Sequence, residues 1–112
     1  MIIRETVTFE DLKQRAARMF GDFVKAVVDV DRELLAVDAE LHADLEALLL
    51  QDGSEQRSLW GINLYPEAQA DQFVEFDSMI NMRPSQANRS RGVEDEAIRR
   101  RIAAIVEKRI SR

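Results

Sequence analysis

The stretch FVKAVVDVDRELLAV, Phe23 to Val37, constrains the fold more than any other part of this chain. It reads as a strand over Phe23 to Val30 and a partner over Glu33 to Val37. Folding about Asp31–Arg32 pairs Val28 with Leu35 and Ala26 with Val37. That register keeps Val24, Ala26, Val28 and Val30 on the face shared with Leu35 and Val37, whereas a slip of one residue would turn the apolar set to the other side. Asp-Arg is a poor type I′ dipeptide, so a connection longer than two residues is expected.

The rest of the chain alternates between the helical and the extended period. Met1 to Thr6 suggests a short strand. Thr8 reads as an N-cap with Asp11 three residues on, and Val7 and Leu12 sit at the positions of a hydrophobic staple. Phe9, Leu12, Ala16 and Met19 follow helical spacing before Gly21, which predicts a helix over 9–20. Leu41, Leu45, Leu48 and Leu49 predict a second helix ending at Gly53, capped either by Asp38 or by Asp44. SLWGINLY puts Trp60, Ile62 and Leu64 on one face and Gly61, Asn63 and Tyr65 on the other. FVEFDSMINM alternates as well, and matching apolar faces pairs Ile62 with Phe76 and Leu64 with Val74. Asn63 then lies beside Glu75, and Gly61 beside Asp77. Glu94 to Glu96 suit the start, and Lys108 and Arg109 the end, of a last helix over about 94–110, whose buried stripe is Ile98, Ile102, Ile105, Val106 and Ile110. The expected class is α+β: one domain over 1–112, with an antiparallel sheet of four or five strands in α-β-β-α-β-β-α order and helices on a face.

Composition narrows the function classes. The 112 residues contain no Cys and one His, which leaves out disulfides, thiolate ligands and thiol chemistry. No apolar run approaches the ~20 residues of a membrane span. The N-terminus lacks the features of a signal peptide, so a cytoplasmic location is expected and the NRS triplet at Asn88 reads as chance. Charge is uneven. Residues 1–82 hold 17 acids and 7 Lys/Arg (17 − 7, net −10), and residues 83–112 hold 4 acids and 9 Lys/Arg (9 − 4, net +5), which together give the overall −5. Such a chain can complement itself, bind an anion locally or meet an acidic partner.

The basic excess is concentrated in RPSQANRSRG, where Arg83, Arg89 and Arg91 accompany Asn88, with Asn81 just upstream. A guanidinium offers a planar fork of donors that fits phosphate or carboxylate, and amides at the next helix start could add to an anion site. Glu94 to Glu96 at that helix start oppose this. The competing reading makes the arginines a structural clasp on Glu75, Asp77 or the acidic helix, and it ranks slightly ahead. Arg99 to Arg101 read mainly as a solvated face, with Glu96–Arg100 as an i,i+4 pair. His42 with Asp44, Glu46, Glu75 and Asp77 could in principle ligate a metal, with Asn63 and Asn81 adding oxygen. No metal-binding spacing is present, however, and neither metal nor cofactor is expected. Glu75 and Asp77 point the same way from one strand, which leaves acid–base work open but ranked below a solvated pair.

LWGINLYPE, EFDSMINMRPSQANRSRGVED and ELHADLEALLLQDGS resemble a small family of uncharacterised prokaryotic domains of unknown function. The resemblance spans nearly the whole chain. It implies a self-contained cytoplasmic domain and carries over no activity or residue role. Three function classes follow from the residues. The first is a binding or interaction module whose loop contacts an anion: a nucleotide, an RNA phosphate or an acidic peptide. Close behind is a structural homo-oligomer, a homodimer in the simplest case, with the loop as an internal clasp; sheet edges and the charge split favour it. A metal-dependent hydrolase or nuclease comes well behind.

Overall fold

The computed structural model describes residues 1–111. In chain order its elements are β1 (Ile2–Ile3), β2 (Val7–Thr8), α1 (Phe9–Arg18), β3 (Val24–Asp29), β4 (Leu34–Val37), α2 (His42–Gln51), β5 (Leu59–Leu64), β6 (Val74–Glu75), α3 (Glu96–Arg109) and β7 (Ile110–Ser111). Single turns of 3-10 helix at Gln56–Ser58, Ala70–Gln72, Met79–Asn81 and Pro84–Gln86 fill the connections. Five strands form an antiparallel sheet in the order β1-β4-β3-β5-β6, and the fold is α+β. β2 and β7 pair in parallel beside it and tie the two ends of the chain together.

The hairpin takes the register that its apolar pattern requires, with Ala26 opposite Val37 and Val28 opposite Leu35. Its connection is longer than two residues, because Asp29 folds it from within. The Asp29 Oδ1 accepts the amides of Asp31 and Arg32 at 2.9 Å each, and Glu33 takes a positive φ of 57°. Alternation along three strands gives the sheet two apolar faces. Val24, Ala26, Val28, Leu35, Val37, Trp60, Ile62 and Leu64 pack against Leu12 and Ala16 of α1 and Ile102, Ile105 and Val106 of α3. Val27, Leu34, Ala36 and Leu59 pack against Leu45 and Leu49 of α2 on the opposite side. The helices therefore divide between both faces of the sheet.

Local signals place the helix starts. Thr8 caps α1 by accepting from the Asp11 amide at 3.1 Å, and Asp95 caps α3 by accepting from Ala97 at 2.8 Å. α1 ends at Arg18 rather than residue 20, with the Gly21 amide closing back on the Ala16 carbonyl at 2.7 Å. Neither Asp38 nor Asp44 caps α2. Leu41 holds that position without a side-chain bond, and Asp38, at φ 81°, turns its carboxylate to Arg15 instead.

The largest departure from the sequence pattern is the second hairpin. The expected pairs Asn63–Glu75 and Leu64–Val74 form, but β6 stops at Glu75, and Ile62–Phe76 and Gly61–Asp77 do not pair. Ser78 settles over Gly61 instead. A Cβ built on Gly61 would stand 2.5 Å from Ser78 Cβ and 2.6 Å from its Oγ. The Asn81 carboxamide then does the work of the missing strand: its Oδ1 accepts from the Gly61 amide at 2.8 Å and its Nδ2 donates to the Gly61 carbonyl at 2.9 Å. Alternation could not reveal this, because it depends on a glycine admitting a neighbour twenty residues away. Gly61→Ala forces Ser78 out of place and breaks that pairing. It is expected to lower the unfolding free energy by about 3 kcal/mol, the overpacking cost plus a lost buried pair, as read by denaturant unfolding.

Candidate functional site

Asn81, the loop it leads into and the polar face of β5 form one continuous hydrogen-bonded surface. Asn81 is fully buried and spends its remaining Nδ2 proton on the Arg91 carbonyl at 2.9 Å. Asn88, 3 % exposed, does the same from the loop's centre. Its Nδ2 reaches the carbonyls of Asn81 at 2.7 Å, Gly92 at 2.8 Å and Ser90 at 3.2 Å, and its Oδ1 accepts the Glu94 amide at 2.8 Å. Both asparagines are thus consumed in fixing backbone. Glu94 fastens the outside, its Oε2 accepting the amides of Arg89 at 2.7 Å and Ser90 at 2.9 Å, bonds that hold its pKa below the ordinary carboxylate value.

The three loop arginines do not converge. Arg83 lies against the core, with its guanidinium 4.2 Å from the Trp60 ring centre and donating to the carbonyls of Gln56 and Leu59. Burial lowers its pKa, although a guanidinium keeps its charge. Arg91 turns to Asp77, Nε to Oδ1 at 2.7 Å, with both side chains about half exposed. The Arg89 side chain is exposed and makes no hydrogen bond or ion pair with any described residue, although its charge acts on Glu94. Of the partners expected for this loop, Asp77 receives one arginine and Glu75 none. The basic C-terminal part meets the acidic body elsewhere too: Lys108 bonds Glu33 at 2.6 Å and Arg101 donates to the Val30 carbonyl at 2.6 Å. Arg100 pairs with Glu96 at 3.0 Å, four residues back on α3.

Beneath Arg91 runs a row set by register: Lys25 opposite Asn63, and Asn63 opposite Glu75. Asn63 Nδ2 donates to Glu75 Oε1 at 2.8 Å and to the Asp77 carbonyl at 3.3 Å, while the Tyr65 hydroxyl donates to the same Glu75 oxygen at 3.1 Å. Tyr65, stacked on Phe23 at 5.3 Å, belongs to this surface, although the sequence did not mark it as a candidate site residue. The signal was there, since Gly61, Asn63 and Tyr65 alternate onto one face.

His42 opens α2 and packs onto the same region, with Nε2 2.8 Å from the Ile62 carbonyl. The neutral ring therefore carries its proton on Nε2 and leaves Nδ1 bare. Asp44 is exposed on the helix, and the charge of Glu46 acts on Arg83. Among the described residues, no three His, Asp or Glu side chains gather closely enough to hold a metal ion. Nor is any helix there long and apolar enough to cross a membrane.

The chain belongs to the family DUF5674, proteins of unknown function. The family's model matches residues 1–109, so the arginine loop, the polar row and α3 all lie inside it. Comparison with curated proteins and with solved structures gives no match.

Burial holds the His42 pKa below its ordinary value. The Ile62 carbonyl and Asp77 pull upward, and Lys25 and Arg91 push further down. The unfolded chain therefore takes up the His42 proton at higher pH than the folded one. Stability from this residue is complete above about pH 6.5 and is lost as pH falls from there through the lowered folded value. Proton NMR should place the His42 midpoint below that of a free imidazole. His42→Gln should flatten stability between pH 5 and 7 while leaving the loss near pH 4 and below, which comes from Glu33, Asp52 and Glu94 with their lowered carboxyl pKa values.

Proposed function

We propose that this protein is a small binding module in which a rigid loop offers Arg89 and Arg91 to an anionic group, as carried by a nucleotide, an RNA phosphate or an acidic peptide. The observation that carries this reading is the division of labour among the loop's polar groups. Asn81, Asn88 and Arg83 are spent on backbone and core, Arg91 engages only its Nε, and the Arg89 guanidinium bonds none of the described residues. The backbone that carries these two guanidiniums is already held by hydrogen bonds, so gripping an anion orders only the side chains and not the loop, which favours binding. The nearby Glu94 charge, already occupied by two loop amides, limits how much negative charge such a site accepts.

A second reading keeps the loop as a clasp alone in a self-associating structural protein. It draws on Met79, 65 % exposed, and Met82, 45 % exposed, which flank Asn81 on one turn and add apolar surface.

The double variant Arg89→Ala/Arg91→Ala separates the two readings. An exposed pair such as Arg91–Asp77 contributes only about 0–1 kcal/mol, so the unfolding midpoint should barely move. Asn88→Ala, which orphans several buried groups, should lower it strongly. Titration of the wild-type chain with nucleotides, short RNAs and acidic peptides should show affinity that falls as salt rises, and the double variant should lose that affinity. Sedimentation of the same samples reads self-association. Absence of any salt-sensitive binding, together with a concentration-dependent dimer, leaves the clasp reading standing and overturns the binding module.

A further inference from the structure

Between the β3–β4 turn and α3 lies a cleft of about 160 Å³, lined by Val30, Glu33, Arg101, Ala104, Ile105 and Lys108. Arg101 and Lys108 stand seven positions apart, two helical turns, which puts both on one side of α3. Ala104 lies between them and is exposed, so its short side chain leaves the space between the two cations open. Val30 and Ile105, both buried, give the cleft an apolar floor.

Neither cation is fully engaged. The Lys108 ammonium gives one of its three protons to Glu33 Oε1 at 2.6 Å. Arg101 has five N–H donors, of which one reaches the Val30 carbonyl at 2.6 Å; the carboxylate of Asp31 stands 3.9 Å off. Asp31 itself is held by the Ser58 hydroxyl. Arg109 donates to the carbonyls of Glu33, Arg4 and Glu5, and among the described residues no carboxylate pairs with it.

The Glu33 carboxylate sits among these cations as a bound anion would. The hydrogen bond from Lys108, then the charges of Lys108, Arg109 and Arg101, hold its pKa below the ordinary carboxylate value. Its backbone is fixed independently of that contact. Asp29 folds the turn from within, Glu33 takes a φ of 57°, and its carbonyl accepts Arg109 Nε at 2.8 Å. The side chain, about half exposed, is tied only by an exposed ion pair, so it can swing out while the hairpin stays in place.

The chemistry of the cleft selects among anions. A free carboxylate offers no more than Glu33 does, and Glu33 is always at hand in the same chain. A phosphate monoester carries nearly two charges and three acceptor oxygens, enough to take donors from Arg101 and Lys108 together. The space is smaller than the ~300 Å³ at which ordinary ligand pockets begin, so it admits a phosphate with a short stem and not a whole nucleotide.

We propose that Arg101 and Lys108 form a binding site for a small phosphate monoester, which enters by displacing the Glu33 carboxylate. The stem of the ester lies on Val30 and Ile105. The site is separate from the anion contact assigned to Arg89 and Arg91.

The test is an NMR titration of the full ¹⁵N-labelled chain at pH 7.5 and constant ionic strength. The probes are n-propyl phosphate, inorganic phosphate to tell a free ion from an ester, and acetate as a carboxylate control. Saturable shifts are expected at Glu33, Arg101 and Lys108 with n-propyl phosphate, inorganic phosphate or both, and not with acetate. Lys108→Gln should weaken binding roughly tenfold or more, the usual loss when a charge-assisted bond becomes neutral. Glu33→Gln, which removes the competing charge, should instead tighten it about two- to fivefold, as much as an exposed ion pair contributes. Shifts that fail to saturate, that acetate reproduces, or that stay confined to the loop of Arg89 and Arg91 overturn the site. So does affinity left unchanged by Lys108→Gln or not raised by Glu33→Gln.

Discussion

The loop and the polar surface depend on the contact between Gly61 and Asn81. β5 lies inside the sheet, with β3 along one side, but on the other side β6 covers only Asn63 and Leu64. The Gly61 amide and carbonyl would face that gap unpaired, a costly state for a buried backbone. A carboxamide has the same donor and acceptor as a peptide group, so one asparagine can stand in for one residue of a strand. The approach is possible because Gly61 has no side chain to keep Ser78 away. Once Asn81 is fixed there, its second proton reaches the Arg91 carbonyl and its own carbonyl receives Asn88, so the loop's path is set from that point.

This arrangement explains one of the arginines that an acidic chain gathers in this irregular segment. An irregular loop packed against a sheet must satisfy many carbonyls without a ladder, and donors are what it needs. Arg83 supplies them to Gln56 and Leu59 while covering Trp60. Asn88 supplies them to three carbonyls at once. At the other end of the molecule, Arg109 donates to the carbonyls of Glu33, Arg4 and Glu5, and Lys108 pairs with Glu33. The −10 and +5 portions of the sequence therefore meet within the chain at Arg91–Asp77, Arg101–Asp31 and Lys108–Glu33. Among the described residues, that leaves the Arg89 guanidinium and part of that of Arg91 as the loop's basic groups without a hydrogen bond.

The polar face of β5 and the loop share residues but differ in chemistry. Arg91 and Asp77 neutralise each other at the seam. On one side stands a free guanidinium, and on the other a carboxylate held only by neutral donors. His42, desolvated at the start of α2, packs close enough for Lys25, Asp77 and Arg91 all to act on it.

The elements legible in the sequence are those governed by short-range periodicity. Period-2 alternation determined the register of the first hairpin, because only one pairing puts Val28 and Leu35 on a common apolar face. It also placed Asn63 beside Glu75 and Leu64 beside Val74. The capping side chain of Thr8, three residues from the amide it serves, marked where α1 begins, whereas Asp95, expected inside the acidic first turn of the last helix, is its N-cap. The tertiary structure decided what a pattern of faces cannot specify. The strand expected to run through Met82 ends at Glu75, α2 lies across the sheet from α1 and α3, and Arg83 and Arg91 take different partners. Those outcomes rest on contacts between residues 20 or more positions apart, such as Asn81 with Gly61 and Arg83 with Leu59. Which donor finds which acceptor over that distance is set by how closely two segments can approach, and here the missing side chain of Gly61 set it.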